Sequence, residues 1–168
     1  MPTEANAALV EEIFNAGVTV ARDEAGLLPL EDDSSVGIAF PGTRYGIRAA
    51  CEGYADGVNW LAFNGSPTQA DVAAARGLAQ RVDVMIVFTR DVDFDPAQAD
   101  LVNALPPDKT VVVALQSVYD LLAFPEISTY VLTYSPLDPA LDAACAALFG
   151  AIAPSTRAAV DLDQPPTQ

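Results

Sequence analysis

The chain has 168 residues, 51% of them hydrophobic, with 23 acidic against 8 basic side chains and a formal net charge of −15. This length and composition suit a single domain with a sizeable core. The acidic balance excludes nucleic acid and anionic membranes as partners, since both require a basic footprint, and the sequence has no apolar run of about 18 residues that would span a bilayer.

The first ten residues lack a basic segment followed by an apolar segment, so no secretory signal is predicted there and a cytoplasmic protein is expected. A trimmed, exported parent stays open as the alternative. A first helix is predicted to start at the cap Thr3 and to end at Gly17. Its apolar positions are Leu9, Val10, Ile13 and Phe14.

Five runs rich in Val, Ile, Leu and Phe predict buried strands, because parallel strands covered on both faces have nearly continuous apolar sequences. In chain order they are residues 35–40, 58–64, 83–89, 110–116 and 129–134. Residues 158–162 could add a short strand at an edge. The domain is expected to span residues 1–162, with 163–168 as a polar tail.

Helical patterns separate these strands. A stripe at spacing i, i+3, i+4 and i+7 is formed by Ile47, Ala50, Cys51 and Tyr54. Three later helices are preceded by capping signals, namely Thr68 with Asp71, Asp95-Pro96, and Asp138-Pro139 with Gly150 closing the last helix. The alternation of strands and helices predicts an α/β fold, a doubly wound three-layer sandwich of flavodoxin-like type with a mainly parallel sheet of five to six strands.

The two cysteines, Cys51 and Cys145, fall among apolar positions of predicted helices. This placement favours two reduced thiols in the core, since a disulfide would require the two helices to be neighbours. The chain contains no histidine, which removes Ser-His-Asp and Cys-His catalysis and the usual zinc ligand. Neither a cofactor nor a metal is predicted.

Ligands of open α/β sheets bind beyond the carboxyl ends of the strands. This rule selects the loops after the five predicted strands, and the candidate ligand-binding residues there are Arg44, Tyr45, Arg90, Gln116, Tyr119 and Asp120. Arg44 and Arg48 could hold an anion at a helix start, or could be solvated helix residues. Asp120 could simply cap a short helix at Leu121.

Sequence motifs for other sites are weak or absent. The first loop lacks G-x-G-x-x-G and a following Walker lysine, so a dinucleotide site is weakly supported. Asp91, Asp93 and Asp95 suggest calcium, but Pro96 and Val102 occupy the positions of the EF-hand glycine and glutamate, which favours a structural loop. Nothing in the linear sequence places two carboxylates across a sugar, so no catalytic residue is assigned.

Three segments carry a family resemblance. Residues 18–30, VTVARDEAGLLPL, are similar to s-i-x-L-L-k-N-x-x-x-L-L-P-L. Residues 112–121, VVALQSVYDL, are similar to v-v-A-L-x-S-P-Y-D-L, with Val118 in place of the proline. The third set, FPE at 124–126, YVLTY at 130–134 and LFGAIAPS at 148–155, is similar to F-P-E, Y-l-x-t-Y and L-F-G-e-i-n-P-S. Together they resemble the C-terminal domain of glycoside hydrolase family 3, nearest to the bacterial β-N-acetylhexosaminidase branch.

The resemblance implies an α/β sandwich domain that follows a catalytic (β/α)₈ barrel. In that family the aspartate nucleophile lies on the barrel, and in the hexosaminidase branch the acid/base Asp-His pair does too. In the glucosidase branch a glutamate comes from the sandwich domain, but no segment here matches its surroundings. We therefore expect a β-N-acetylhexosaminidase-like accessory domain, inactive alone, that packs on a barrel and shapes its sugar cleft. The alternative is a stand-alone carbohydrate-binding or protein-interaction module.

Overall fold

The structure is a computed structural model that describes residues 4–42, 45–158 and 162. Its strands are β1 (Thr19–Asp23), β2 (Val36–Pro41), β3 (Asn59–Phe63), β4 (Val84–Thr89), β5 (Thr110–Ala114) and β6 (Thr129–Leu132). Its α-helices are α1 (Glu4–Gly17), α2 (Ile47–Glu52), α3 (Gln69–Ala79), α4 (Ala97–Asn103) and α5 (Asp138–Leu148). Short 3₁₀ helices cover Pro107–Lys109 and Val118–Ala123. None of the helices in the described ranges is long and apolar enough to cross a bilayer.

The six strands form one sheet in the order β1-β6-β5-β4-β2-β3. Strands β2 to β6 are parallel, and β1 is antiparallel to β6. The five predicted strands are all present, so the predicted α/β sandwich with a mainly parallel sheet is confirmed. After β3 the chain crosses to the other side of β2, which makes the gap between β2 and β4 the topological switch point of the sheet.

Both faces of the sheet are buried, as the apolar runs predict. Alternate side chains of β2 and β4 point to opposite faces. Ile38 and Ile86 belong to a core cluster with α2 and α5, whereas Ala39 and Val87 belong to a second cluster with α3 and α4. The strands therefore place two helical layers on one rigid sheet, with the loops of interest at its carboxyl edge.

The sixth strand, β1, is the element that sequence patterns missed. Its charged residues hold it to residues 127–129 of the same chain. The Arg22 guanidinium donates to the carbonyl of Ile127 at 2.8 Å, and an Asp23 carboxylate oxygen accepts from the Thr129 hydroxyl at 2.8 Å. Because these contacts are long-range, no local apolar pattern marks the strand. The edge strand expected at 158–162 falls largely outside the described residues, since 159–161 are not among them.

The expectation of reduced thiols was wrong, because Cys51 and Cys145 form a disulfide. Helices α2 and α5 pack side by side on the same face of the sheet, which brings the two Cα atoms to 5.1 Å. Both residues are fully buried. The helical spacing correctly placed each cysteine on an apolar face, but only the adjacency of the two helices joins them.

Of the four predicted helix caps, Thr3 lies outside the described residues, and one of the other three is present. The Thr68 hydroxyl accepts from the Asp71 amide, and the Asp71 carboxylate accepts from the Thr68 amide at 2.8 Å, which completes a capping box. The caps predicted at Asp95 and Asp138 were wrong: α4 begins after Pro96 and α5 after Leu137, neither with a side-chain cap bond. The Asp95 carboxylate instead accepts a hydrogen bond from the Gln98 side chain.

We expect Thr68→Ala to lower the free energy of unfolding by about 1 kcal/mol, because it leaves the Asp71 amide in the first turn of α3 without its cap. The measurement is a urea unfolding curve, read as the change in midpoint at constant slope. Thr156→Ala, at an exposed threonine outside any helix, is the matched control and should leave the midpoint in place. Equal midpoints for the two variants would contradict the prediction.

Candidate functional site

A cleft of about 370 Å³ opens at the switch point, beyond the carboxyl ends of β2, β3 and β4. Three crossover loops line it, with a floor contributed by α4. The lining residues are Pro41, Gly42, Tyr45, Asn64, Gly65, Ser66, Arg90, Asp91, Phe94, Asp95 and Gln98. Its position agrees with the general rule for ligand sites in doubly wound sheets, and its volume falls within the range of small-molecule sites, about 300–1,000 Å³.

Arg90 is the basic side chain among the described lining residues. Its Nε donates to the Asp91 carboxylate at 3.1 Å, and its Nη1 donates to the Tyr45 hydroxyl. The guanidinium also lies 5.9 Å from the centre of the Tyr45 ring. The hydrogen bond to Tyr45, followed by that to Asp91, raises the pKa of Arg90 above its ordinary value, and the same two bonds fix the orientation of the guanidinium.

The backbone at Arg90 and Asp91 is held in an unusual conformation. Asp91 has φ = 48°, in the left-handed region that side chains other than glycine rarely adopt. The buried Gln98 side chain fixes this loop, because its Oε1 accepts from the Arg90 amide at 3.0 Å and its Nε2 donates to the Arg90 carbonyl at 2.9 Å. The same Nε2 contacts an Asp95 carboxylate oxygen at 3.2 Å. Strained backbone that is over-determined in this way is typical of binding sites.

Asp120 supports the same loop from below. Its carboxylate accepts from the Val92 amide at 3.0 Å and from the Thr89 hydroxyl at 3.2 Å, and the residue is only 2% exposed. Burial raises the pKa of Asp120 to about 6, against the lowering effect of these two hydrogen bonds. Nearby Asp91 and Asp93 raise it further. Asp120 therefore positions the loop and does not cap a helix, as the sequence alone had allowed; Ser117 caps that 3₁₀ helix.

Close backbone approach shapes the wall between β2 and β3. The Gly42 amide donates to the carbonyl of Phe63 at 2.7 Å. A Cβ atom at Gly42 would lie 3.0 Å from that carbonyl oxygen and 3.0 Å from Oδ1 of Asn64. The glycine thus lets the Asn64 side chain stand at the mouth of the cleft.

The six candidate residues from the sequence divide into three groups. Tyr45 and Arg90 line the cleft and contact each other. Arg44 lies outside the described residues. The other three do not line the cleft: Gln116 is exposed, Tyr119 is half-buried and Asp120 is buried. Whether any of the six binds a ligand stays a prediction.

Several cleft residues were missed by sequence reasoning. Asn64 and Phe94 were inside loops that the sequence selected, but they carried no motif of their own, and Asp95 was interpreted as a helix cap. Gln98 did carry a signal, because it precedes Leu101, Val102 and Leu105 at the spacing of one helical face and is polar. A polar residue on an apolar face must find partners when buried, and here it binds the backbone of the cleft loop.

Two aspartates of this loop contact protein groups. Asp91 is bonded to Arg90, and Asp95 to Gln98. Across the described part of the chain, no three acidic or cysteine side chains converge as metal ligands would. Asp91 and Asp95 thus hold the loop itself, and that the loop is purely structural stays a prediction.

Comparison with solved structures explains the resemblance seen in the sequence. A glycoside hydrolase family 3 β-N-acetylglucosaminidase from Paenibacillus sp. str. FPU-7 matches 91% of this chain at a TM-score of 0.80 and 26% identity. The match covers 32% of that enzyme. The chain therefore resembles the C-terminal domain of family 3 glycoside hydrolases in both sequence and fold. No family model and no curated protein sequence matches this family 3-like domain.

Two further enzymes share the fold of the family 3-like domain. A fungal multi-domain family 3 β-N-acetylglucosaminidase matches 98% of it at a TM-score of 0.77 and 22% identity. A β-glucosidase from Listeria innocua matches 90% at a TM-score of 0.76 and 12% identity. The chain spans only 21% and 26% of these two proteins, so it corresponds to a minor part of each enzyme.

The segments that carry the resemblance lie mostly away from the cleft. The motif at 18–30 contains β1, and the motif at 148–155 runs beside that strand, with the Val20 amide donating to the Ser155 carbonyl at 2.8 Å. Arg22 donates to the carbonyls of Pro125 and Ile127, which anchors the FPE segment. The motif at 112–121 is the exception, since it contains Asp120. Most of the family pattern therefore encodes the scaffold.

Proposed function

We propose that this chain is a non-catalytic accessory domain of a family 3 glycoside hydrolase, β-N-acetylhexosaminidase-like, which packs on a catalytic (β/α)₈ barrel and shapes the rim of its sugar cleft. The observation that carries the proposal is the match itself. Over nine-tenths of the chain superposes on a glycosidase of which it covers only a third. The carboxylates of the switch-point cleft are engaged in holding its own loop, which supports a binding role over acid–base chemistry.

The surface that supports packing on another domain is α1. None of the residues of this 14-residue helix is buried, and Phe14 is the side chain through which it meets the core. Leu9 and Ile13 are 55% and 58% exposed. Helix α1 lies against α5, but it buries none of its side chains there, and a helix of this length is marginal in water without such burial. Exposed apolar patches mark interaction sites. We define the α1 surface as Leu9, Val10, Ile13 and the neighbouring Tyr54.

Charge favours a different protein, rather than a second copy of this chain, as the partner that covers the α1 surface. The α1 helix carries Glu4, Glu11 and Glu12 and no basic residue, and the chain has a net charge of −15. Two copies facing each other through this surface would repel. A catalytic domain with a neutral or basic rim around an apolar patch would be attracted.

We expect the tagged chain to retain a barrel-type glycosidase from an extract of the organism that encodes it, and Leu9→Ser/Ile13→Ser to lose most of that retention. The two changes remove apolar area from the α1 surface at positions that contribute little to the fold. Retained proteins are identified by mass spectrometry, and the chain's mass in solution is measured by light scattering. The purified chain alone should leave aryl N-acetylglucosaminides and aryl glucosides intact.

The matched control is Leu122→Ser, at a leucine that is 52% exposed and lies on the 3₁₀ helix that packs on the other face of the sheet. This variant should retain the glycosidase as wild type does. The proposal fails if the pure chain hydrolyses either substrate and a point mutation in it abolishes the turnover. It fails equally if the chain is a dimer that Leu9→Ser/Ile13→Ser dissociates.

A further inference from the structure

The loop that follows β3 contains the single Asn-Gly pair of the chain, Asn64-Gly65. Both residues are exposed to solvent, together with Ser66, and they lie between the buried Phe63 and the buried Pro67. Gly65 has φ = 61°, in the left-handed region that glycine adopts without strain. The pair therefore forms a short exposed turn between two buried residues, as Asn-Gly pairs often do.

Among the described residues, no protein group restrains the reactive atoms of this turn. Neither the Asn64 side chain nor the Gly65 amide makes a hydrogen bond to any of them. Gly65 has no side chain to shield its amide, and a Cβ atom placed there would meet nothing within 4 Å apart from its chain neighbours. The Gly65 amide nitrogen and the carboxamide carbon of Asn64 are thus free to approach each other in an exposed loop.

The other four asparagines lie in regular secondary structure, and none of them precedes a glycine. Asn6 and Asn15 belong to α1, Asn59 to β3 and Asn103 to α4. The side-chain amides of Asn59 and Asn103 also donate hydrogen bonds to backbone carbonyls. These four residues differ from Asn64 both in the residue that follows and in the freedom of the backbone, so they are internal controls.

We propose that Asn64 is a site of spontaneous deamidation, which converts it to aspartate and isoaspartate. The Gly65 amide nitrogen attacks Cγ of Asn64 and gives up its proton to solvent, and the new C–N bond closes a succinimide ring. The bond from Cγ to Nδ2 breaks, and Nδ2 takes up a proton and leaves as ammonia. Water then adds its hydroxyl to either ring carbonyl carbon and its proton to the ring nitrogen. The C–N bond at that carbonyl breaks, and a carboxylate remains.

The product changes the mouth of the cleft. Asn64 lines it together with Arg90, Asp91 and Asp95, so a carboxylate at residue 64 adds a third acid to the described lining. The chain becomes one unit more negative than its present −15, and anions are repelled more strongly. The isoaspartyl form also lengthens the backbone between β3 and α3 by one carbon atom. This chemistry needs only the chain and water, so it goes beyond the proposed accessory role and does not depend on it.

The test is incubation of the purified chain at neutral pH and physiological temperature, followed by digestion and mass spectrometry at intervals. Replacement of NH₂ by OH raises the mass of the peptide, and fragmentation assigns the change to one residue. We expect Asn64 to deamidate well before the other four asparagines. Electron-transfer fragmentation should find isoaspartate as well as aspartate at this position, because the ring opens at both carbonyls whereas direct hydrolysis of the side chain yields aspartate alone.

Gly65→Ala keeps the asparagine and adds one methyl group in open space. It should slow deamidation of Asn64 several-fold, because the methyl group hinders attack by the amide nitrogen. A urea unfolding curve of this variant establishes that it is folded, since alanine is strained at a positive φ. Gly53→Ala, at an exposed glycine with equal space around it, is the matched control and should deamidate at the wild-type rate.

Three results would overturn the inference. Asn64 could react in the urea-unfolded chain but not in the folded chain, which would show that the fold protects it. Gly65→Ala could react as fast as wild type, or the product could contain aspartate without isoaspartate, and either result would exclude the succinimide route. Glycosidase capture by the freshly purified chain tests the accessory role separately, so the failure of one proposal leaves the other standing.

Discussion

Reduction of the Cys51–Cys145 disulfide is expected to lower the free energy of unfolding by about 4–5 kcal/mol. The bond joins residues 94 positions apart, so it removes a large amount of chain entropy from the unfolded state. A loss of this size is comparable to much of the total stability of an ordinary domain. Urea unfolding in the presence and absence of dithiothreitol, with fluorescence of Trp60 as the probe, measures it.

The control for this experiment is Cys51→Ala/Cys145→Ala. The double variant should unfold at the lower midpoint of the reduced protein and should not respond to dithiothreitol. Unchanged midpoints on reduction of the wild-type chain would show that the bond does not stabilise the fold. Alkylation of the oxidised and reduced forms, followed by mass measurement, establishes how many thiols are free in each sample.

The disulfide also bears on the location of the protein. Disulfides persist in oxidising compartments and are rare in the cytosol of mesophiles. The expectation of a cytoplasmic protein therefore stays a prediction, and one that the disulfide does not favour. We propose instead that the domain matures in an oxidising environment. Thiol trapping in intact cells distinguishes the two, since a cytoplasmic pool would be alkylated at both cysteines without prior reduction.

The stability of the domain is expected to fall as the pH rises from about 4 to about 7, by on the order of 2–3 kcal/mol from Asp120 alone. Burial holds the pKa of Asp120 at about 6 in the folded state, against an ordinary value of 3.8. The folded state therefore binds this proton more tightly than the unfolded state. The resulting stabilisation is fully present below the unfolded value and is lost as pH rises through the folded one.

Asp120→Asn isolates this effect. The amide keeps an oxygen that can accept from the Val92 amide, and it carries no charge at any pH. The variant should therefore lose most of the slope of unfolding free energy between about pH 4.5 and 7.5, and near neutral pH it should be at least as stable as wild type. Asp71 and Asp83 have lowered pKa values, so their contributions change only at lower pH. Burial and the nearby Asp138 raise the pKa of Asp142, so Asp142 adds a slope of the same sign that the variant retains.

Asp108→Asn, at an exposed aspartate in a 3₁₀ turn, is the matched control and should retain the wild-type slope. If Asp120→Asn keeps the wild-type slope of unfolding free energy against pH, another titratable group is responsible for that slope. A large loss of stability in Asp120→Asn at neutral pH would mean that the charge itself is required to hold the 91–95 loop, contrary to the expectation.

The position of the cleft could be predicted from the sequence, and its chemistry could not. Five apolar runs separated by helical patterns are sufficient to predict parallel strands, and the loops at their carboxyl ends follow from that topology. The sequence does not give the order of strands in the sheet, which decides that the loops after β2 and β4 face each other. Tyr45 and Arg90 are far apart along the chain and meet only because of that order.

The errors in the prediction have a common physical cause. The disulfide, the role of Asp120 and strand β1 all depend on contacts between residues distant in sequence: Cys51 with Cys145, Asp120 with Val92, and Arg22 with Ile127. Local sequence patterns do not show which distant residues are in contact. The capping box of α3, by contrast, was predicted correctly because Thr68 and Asp71 lie within one turn of each other.

The sequence by itself determined the α/β class, the five buried strands and the family likeness, because apolar periodicity and short motifs are local properties of the chain. The tertiary structure decided which helices are neighbours, which polar side chains are buried, and that Phe94 stands exposed beside Arg90 at the switch point. Those features follow from the packing of two helical layers on the sheet, which brings side chains from separate loops together at its carboxyl edge.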